Sequence, residues 1–206
     1  MSKTSEAILS AAMLSAVMLI TFAAPGFSQN PQSPASPVKN PPSPPVAAPA
    51  PASTPAANPA DVSSPDAIMA AVYNVISGPA GQKRDWDRMN SLFYPGARLI
   101  HTTKKEGGLG VATLSVQDWF DHASTYFEKN GFWEKEVARH TEKWANIYHA
   151  FSTYESRHDA KDAAPFARGI NSFQLFYDGT RWWIITIYWQ QESPENPLTS
   201  EFLSSK

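Results

Sequence analysis

Residues 168–192 read RGINSFQLFYDGTRWWIITIYWQQE. Asp178-Gly179 is the one break in this run. An Asp-Gly pair supplies the positive φ values that a short hairpin turn needs, and both arms are rich in β-branched and aromatic residues. The stretch therefore predicts a long hairpin, Ala167 to Tyr177 and Trp182 to Gln191. So many aromatic side chains on two paired strands make a wall of the kind that bounds a core or a pocket.

Upstream, the apolar pattern alternates from Trp133 to Asn146 and again from Ile147 to His158, which predicts two more long strands. Before Asn130-Gly131 the period is helical. Ser64-Pro65-Asp66 opens a helix in which Ile68, Met69, Val72, Val75 and Ile76 share a face, ended by Gly78-Pro79. A shorter helix runs from Asp85 to Phe93. A third follows Ser115, with Asp118 at the capping-box position and Val116, Trp119, Phe120, Ala123 and Phe127 as its buried stripe. Between them, Ala97 to Thr103 reads as a strand and Lys104 to Gly110 as a polar flap or hairpin tip. Helices first and long antiparallel strands afterwards give an α+β plan, three helices packed on one side of a strongly curved antiparallel sheet. Nothing in the pattern suggests a parallel crossover or a dinucleotide-binding glycine loop.

The N-terminal third has another composition. Ile8 to Phe22 is apolar and uncharged, preceded by Lys3 and followed by small residues, the layout of an export signal. Gly26-Phe27-Ser28 offers a cleavage site before Gln29, so residues 1–28 are expected to be removed; an uncleaved anchor is the rival reading. Pro31 to Pro65 hold 12 of the 18 prolines, no aromatic residue, and only Lys39 and Asp61 as charges. Residues 29–63 are accordingly expected to be an extended, disordered linker, and residues 64–206 the folded domain. The expected location is periplasmic or secreted. The chain has no cysteine, which excludes disulfides and thiol chemistry. A net charge of −2 gives no pull toward nucleic acid or an anionic membrane.

WANIYHAFSTYESRHD at residues 144–159, followed by PFARGINSFQLFYDGTRWWIITIYWQQE at 165–192, resembles the nuclear-transport-factor-2-like superfamily. This superfamily includes SnoaL-like cyclases, ketosteroid isomerase and scytalone dehydratase. The resemblance implies a cone-shaped domain whose sheet wraps a cavity roofed by the helices, in a homodimer. It does not imply one reaction, because this fold carries many activities. The basic aspartate of the isomerases has no counterpart near Gly96-Ala97-Arg98, and no Asp or Glu falls between Asp87 and Glu106.

Period-2 alternation divides the strands into faces. On the last strand Trp183, Ile185, Ile187 and Trp189 are expected to face the helices, leaving Trp182, Ile184, Thr186, Tyr188 and Gln190 as a partner surface. With Asn171, Phe173 and Arg168 of the preceding strand, the helix-facing four are the candidate ligand-binding residues. His149, Tyr154 and Glu155 are the candidate acid–base residues, His149 because its ordinary pKa lies near neutrality. Glu155, Arg157 and Arg168 could form a charge cluster or ordinary cross-strand pairs. His122 and Asp118 read as a solvated helix face. No metal-ligand spacing is present, and neither metal nor cofactor is expected.

These residues point to an exported module that binds a small apolar or aromatic molecule. The alternatives are a cofactor-free SnoaL-like enzyme of isomerase, cyclase or dehydratase type, and a structural dimerisation domain.

Overall fold

The computed structural model describes residues 54–204. The expected export signal, and the linker up to residue 53, lie outside the described residues. Among those described, no helix is long and apolar enough to cross a membrane.

Helix α1 (Pro65–Ile76) begins where the sequence indicates: the Ser64 hydroxyl accepts the Ala67 N–H at 3.0 Å, and Pro65 occupies the first turn. Helix α2 (Trp86–Ser91) is capped by Asp85, which accepts the Arg88 N–H. Helix α3 (Val116–Lys129) carries the full capping box between Ser115 and Asp118. Its stripe of Val116, Phe120, Ala123 and Phe127 is buried. The folded unit starts before the expected boundary at residue 64. Pro59–Val62 form a 3-10 turn, Val62 is in the core, and Asp61 pairs with Arg88 at 2.7 Å.

Six strands, β1 (Phe93–Lys105), β2 (Gly108–Ser115), β3 (Trp133–Trp144), β4 (Ile147–Arg157), β5 (Ala167–Tyr177) and β6 (Trp182–Gln191), form one sheet in the order β2-β1-β6-β5-β4-β3. One expectation is corrected. The sheet is mixed, because β1 runs parallel to β6. The first strand finds its partner at the far end of the chain, a pairing that local hairpin reasoning does not reach. Of the two readings of 104–110, flap or hairpin tip, the second holds: the chain turns from β1 into β2 at Gly107, with φ +87°. Two glycines lower the strand propensity of the segment GLGVATLS, and pairing with β1 overrides this.

A bulge decides which side chains of β6 meet the helices. Gln174 pairs with Thr186 and Leu175 with Ile184, so Ile185 has no partner. One extra residue exchanges the faces of a strand. Trp182, Ile184 and Ile187 are therefore buried, at 7%, 0% and 5% exposure. Trp189 packs against the same core. The expectation for Trp183 and Ile185 is corrected: Ile185 is exposed, and Trp183 lies outward under Arg181, whose guanidinium stands 3.6 Å above its ring. Trp182 and Ile184, expected on the partner surface, belong to the core. A second bulge in β3, at Val137, separates Glu136 from Ala138.

The end of the chain covers part of the outer face. Thr153 donates to the Phe202 carbonyl, and the Phe202 ring packs against Phe151 and His140.

Candidate functional site

On the inner face, where β3, β4 and β5 pass beneath α1, alternation brings six polar side chains together, and α1 adds a seventh. Glu134 and Glu136 precede the β3 bulge and share a face. Ser152, Tyr154 and Ser156 project to the same side of β4, and Asn171 to that side of β5. Tyr73 reaches down from α1. The Ser156 hydroxyl donates to Glu134 Oε2 at 2.7 Å, and Asn171 Nδ2 donates to Glu134 Oε1 at 3.2 Å. The same Asn171 nitrogen is 3.2 Å from the Tyr73 oxygen, which in turn is 2.7 Å from Ser152 Oγ. Ser152 donates to Glu136 Oε2, and Glu136 is paired with Arg139. Ser77, just past α1, ties the edge strand in place: its hydroxyl accepts the Glu134 N–H at 3.0 Å and donates to the Tyr73 carbonyl at 2.7 Å.

The two carboxyl groups differ in kind. Glu136 has a guanidinium against it, whereas among the described residues Glu134 is held by neutral donors alone. Glu134 as a residue is only half-buried, but its carboxyl end is enclosed. Burial pushes its pKa up to about 7, against the opposing pull of the Ser156 and Asn171 hydrogen bonds. Burial, followed by the Glu134 charge, also raises the Tyr73 and Tyr154 hydroxyls well above the usual phenol range.

Tyr154 is 5% exposed, and among the described residues its hydroxyl makes no hydrogen bond. No fully enclosed side-chain nitrogen or oxygen lacks a partner, so this oxygen must keep a sliver of open surface. A recess of about 160 Å³ opens at the edge of β3, lined by Ser77, Trp133, Glu134, Lys135, Arg157 and Ala160. A wider, shallower one of about 380 Å³ lies over Phe166, Arg168, Glu192 and Pro194.

Of the candidate acid–base residues, Tyr154 faces inward and His149 and Glu155 face outward. His149 bonds Ser172 Oγ at 3.0 Å, with Glu142 at 3.6 Å on its other nitrogen. Glu155 pairs with Arg157 at 2.8 Å and Arg168 with Glu192 at 2.7 Å, so the charge cluster resolves into two ordinary ion pairs. Of the candidate ligand residues, Asn171 joins the polar cluster. Phe173 and Ile187 are core, at 0% and 5% exposure, and do not line either recess. Trp189 stacks on His101 at 5.2 Å. The His122 ring bonds the Asp118 backbone carbonyl, on an exposed helix face. Among the described residues no three His, Asp or Glu side chains could hold a metal ion.

Glu134, Glu136, Tyr73, Ser152 and Ser156 escaped sequence reasoning. Two glutamates at the same parity, opposite Tyr154 and Ser156, were the available signal. An exposed edge strand would show the same pattern.

No family model matches the chain, and no curated protein matches it. Solved structures similar to it include an NTF2-like protein of unknown function from Shewanella baltica OS155. That likeness has 11% identity and a TM-score of 0.41, over 61% of this chain and 89% of that one. Another, from Silicibacter pomeroyi DSS-3, has 14% identity and a TM-score of 0.39, over 62% and 92%. A third, from Methylobacillus flagellatus KT, has 14% identity and a TM-score of 0.41, over 63% and 95%. These neighbours carry the name of the superfamily that the strand motifs resemble. At such identities and scores they say nothing about a reaction here.

Proposed function

We propose that the polar cluster on the inner face is a small-molecule site, with the Glu134 carboxyl as its acid–base group and Tyr154 as a hydroxyl donor. The observation that carries this is an enclosed carboxyl that, among the described residues, makes no ion pair with a cation. Burying an ionised carboxylate without a partner is strongly unfavourable, and a purely structural position is met at lower cost by an apolar residue or by an arginine pair like that of Glu136. Carboxyl groups tuned toward neutrality in this way are a mark of functional sites, because a general acid or base works best near the ambient pH.

The reaction class is cofactor-free proton transfer, of isomerase, cyclase or dehydratase type. Glu134 takes a proton from the carbon beside a carbonyl and returns it, and the Tyr154 O–H supports the charge that builds on the carbonyl oxygen. The 160 Å³ recess compares with the roughly 150 Å³ that holds a benzene, which sets the scale of the ligand. The export signal read in residues 1–28 would place this site in a periplasmic or secreted protein. Ile147, Ile185 and Tyr188, all exposed on the outer face, support a homodimer formed there.

The test is proton exchange. Small ketones, aldehydes and hydroxy acids are incubated with the protein in heavy water, and loss of the signal from hydrogens beside the carbonyl is followed by NMR. Exchange with at least one compound, slowed by about 100-fold or more in Glu134→Gln, is the expected result. Exchange unaffected by the substitution, or absent throughout, overturns the reading.

A further inference from the structure

The direction of every hydrogen bond leading from Glu136 to Glu134 can be deduced. Arg139 Nε lies 2.9 and 3.0 Å from the two Glu136 oxygens, and its Nη2 lies 2.7 Å from Oε1. A carboxylate gripped in this way is ionised and can only accept. Ser152 gives its one hydroxyl hydrogen to Glu136 Oε2. In the 2.7 Å contact between Tyr73 and Ser152 the tyrosine must therefore donate. With its hydrogen committed, the Tyr73 oxygen accepts only, so the Asn171 atom facing it has to be the NH₂ group. That nitrogen divides its two hydrogens between Tyr73 and Glu134 Oε1. All three intermediates are buried: Ser152 is 0%, Asn171 7% and Tyr73 8% exposed.

We propose that Glu136 is a positioning residue for the acid–base site: through Ser152 and Tyr73 it fixes which way the Asn171 amide faces and so which group meets the Glu134 carboxyl. The proposal rests on the reading of Glu134 as the working group. An asparagine amide is nearly symmetric in shape, so packing alone does not choose between its two orientations. Here the choice is made by a charge three hydrogen bonds away. Arg139 also meets Asp66 on α1, which links the arrangement to an ion pair at the helix start.

Replacing the charge reverses the chain. In Glu136→Gln, Arg139 retains the amide oxygen, and the new NH₂ group faces Ser152. Ser152 then donates to Tyr73, Tyr73 donates onward, and Asn171 turns its carbonyl toward both Tyr73 and Glu134. A carbonyl against Glu134 favours the protonated acid, whereas an N–H favours the carboxylate. The remaining titratable or charged groups around Glu134 are Tyr73 from α1, Tyr154 and Arg157 from β4, and Lys135 on β3, and the substitution changes the charge of none of them.

The experiment is a ¹³C NMR titration of the Glu134 carboxyl in the wild-type protein, Glu136→Gln, Ser152→Ala and Glu136→Asp, each checked for folding by thermal melting. The expected midpoint rises by about one pH unit in Glu136→Gln and in Ser152→Ala, which cuts the chain at its middle, and returns toward wild type in Glu136→Asp. A merely structural Glu136 would alter the melting temperature and leave the midpoint in place. Midpoints within about 0.2 unit of wild type in folded Glu136→Gln or folded Ser152→Ala overturn the proposal. That outcome leaves proton exchange by Glu134 standing, and failed exchange with a shifted midpoint leaves the positioning chain standing.

Discussion

Ser156 and Glu134 face each other across the β3–β4 pair, with the serine hydroxyl donating to the glutamate at 2.7 Å. This bond helps the carboxylate but does not offset its burial, and a proton remains on Glu134 up to about pH 7. The consequence for stability has a definite sign. The folded-state value lies above the ordinary 4.5, so the stabilising contribution is complete below pH 4.5 and is lost as pH rises through 7. Relative to Glu134→Gln, the wild-type protein should lose about 2–3 kcal/mol between these limits. Urea midpoints of both proteins at pH 4.5, 6 and 8 measure the difference, and parallel curves would contradict it.

Arg84 is 7% exposed, and among the described residues no carboxylate pairs with it. It donates to the carbonyls of Ile76, Pro79, Gln82 and Gly78, and its guanidinium lies 5.0 Å from the Phe127 ring centre. The side chain binds the loop after α1 to α3. Arg84→Ala strands several of these carbonyls and should cost about 3 kcal/mol or more. Lysine should rescue little, because it has no planar fork. Denaturant midpoints of Arg84→Ala and Arg84→Lys check both statements.

The bulge at Ile185 gives the two adjacent tryptophans opposite fates. Trp182 packs between Tyr148 and Tyr177 in the core, whereas Trp183 lies outside, its Nε1 donating to Asp178 at 2.7 Å. Trp182→Ala should cost roughly 3–5 kcal/mol. Trp183→Ala should cost about 1–2 kcal/mol, for a hydrogen bond and a cation–π contact. Equal losses in thermal unfolding would contradict this face assignment.

These residues also show what the sequence could convey. Asp178-Gly179, the caps Ser64 and Ser115, and the alternation of β4 and β5 are local signals, and each element formed where they pointed. The bulges at Val137 and Ile185 are relations between two strands, invisible within either one. They decide that Glu134 and Trp182 face inward. His149 and Glu155 looked functional because they interrupt an apolar strand, but the face they interrupt is the outer one. The parallel β1–β6 pairing joins residues too far apart in the chain for any local pattern to announce.

Gly169 leaves room for the Tyr154 hydroxyl. A methyl group there would lie 2.7 Å from that oxygen and 2.3 Å from the Gln190 carbonyl, which is backbone and cannot turn aside. Gly169→Ala should therefore separate β5 from β6 locally and displace Tyr154, with a stability loss of about 3 kcal/mol. Hydrogen exchange at Gln190 and Gln191 reports the separation; unchanged protection would show that the strands tolerate the methyl.

The central claim is that Glu134 carries a proton close to neutrality inside the fold. Infrared difference spectroscopy of wild-type protein minus Glu134→Gln, taken from pH 4 to 9, isolates its C=O stretch. The account requires a protonated-acid band that persists at pH 6 and disappears with a midpoint near 7. A band lost with a midpoint near the ordinary 4.5 would show an unremarkable solvated carboxylate and contradict the assignment of the site.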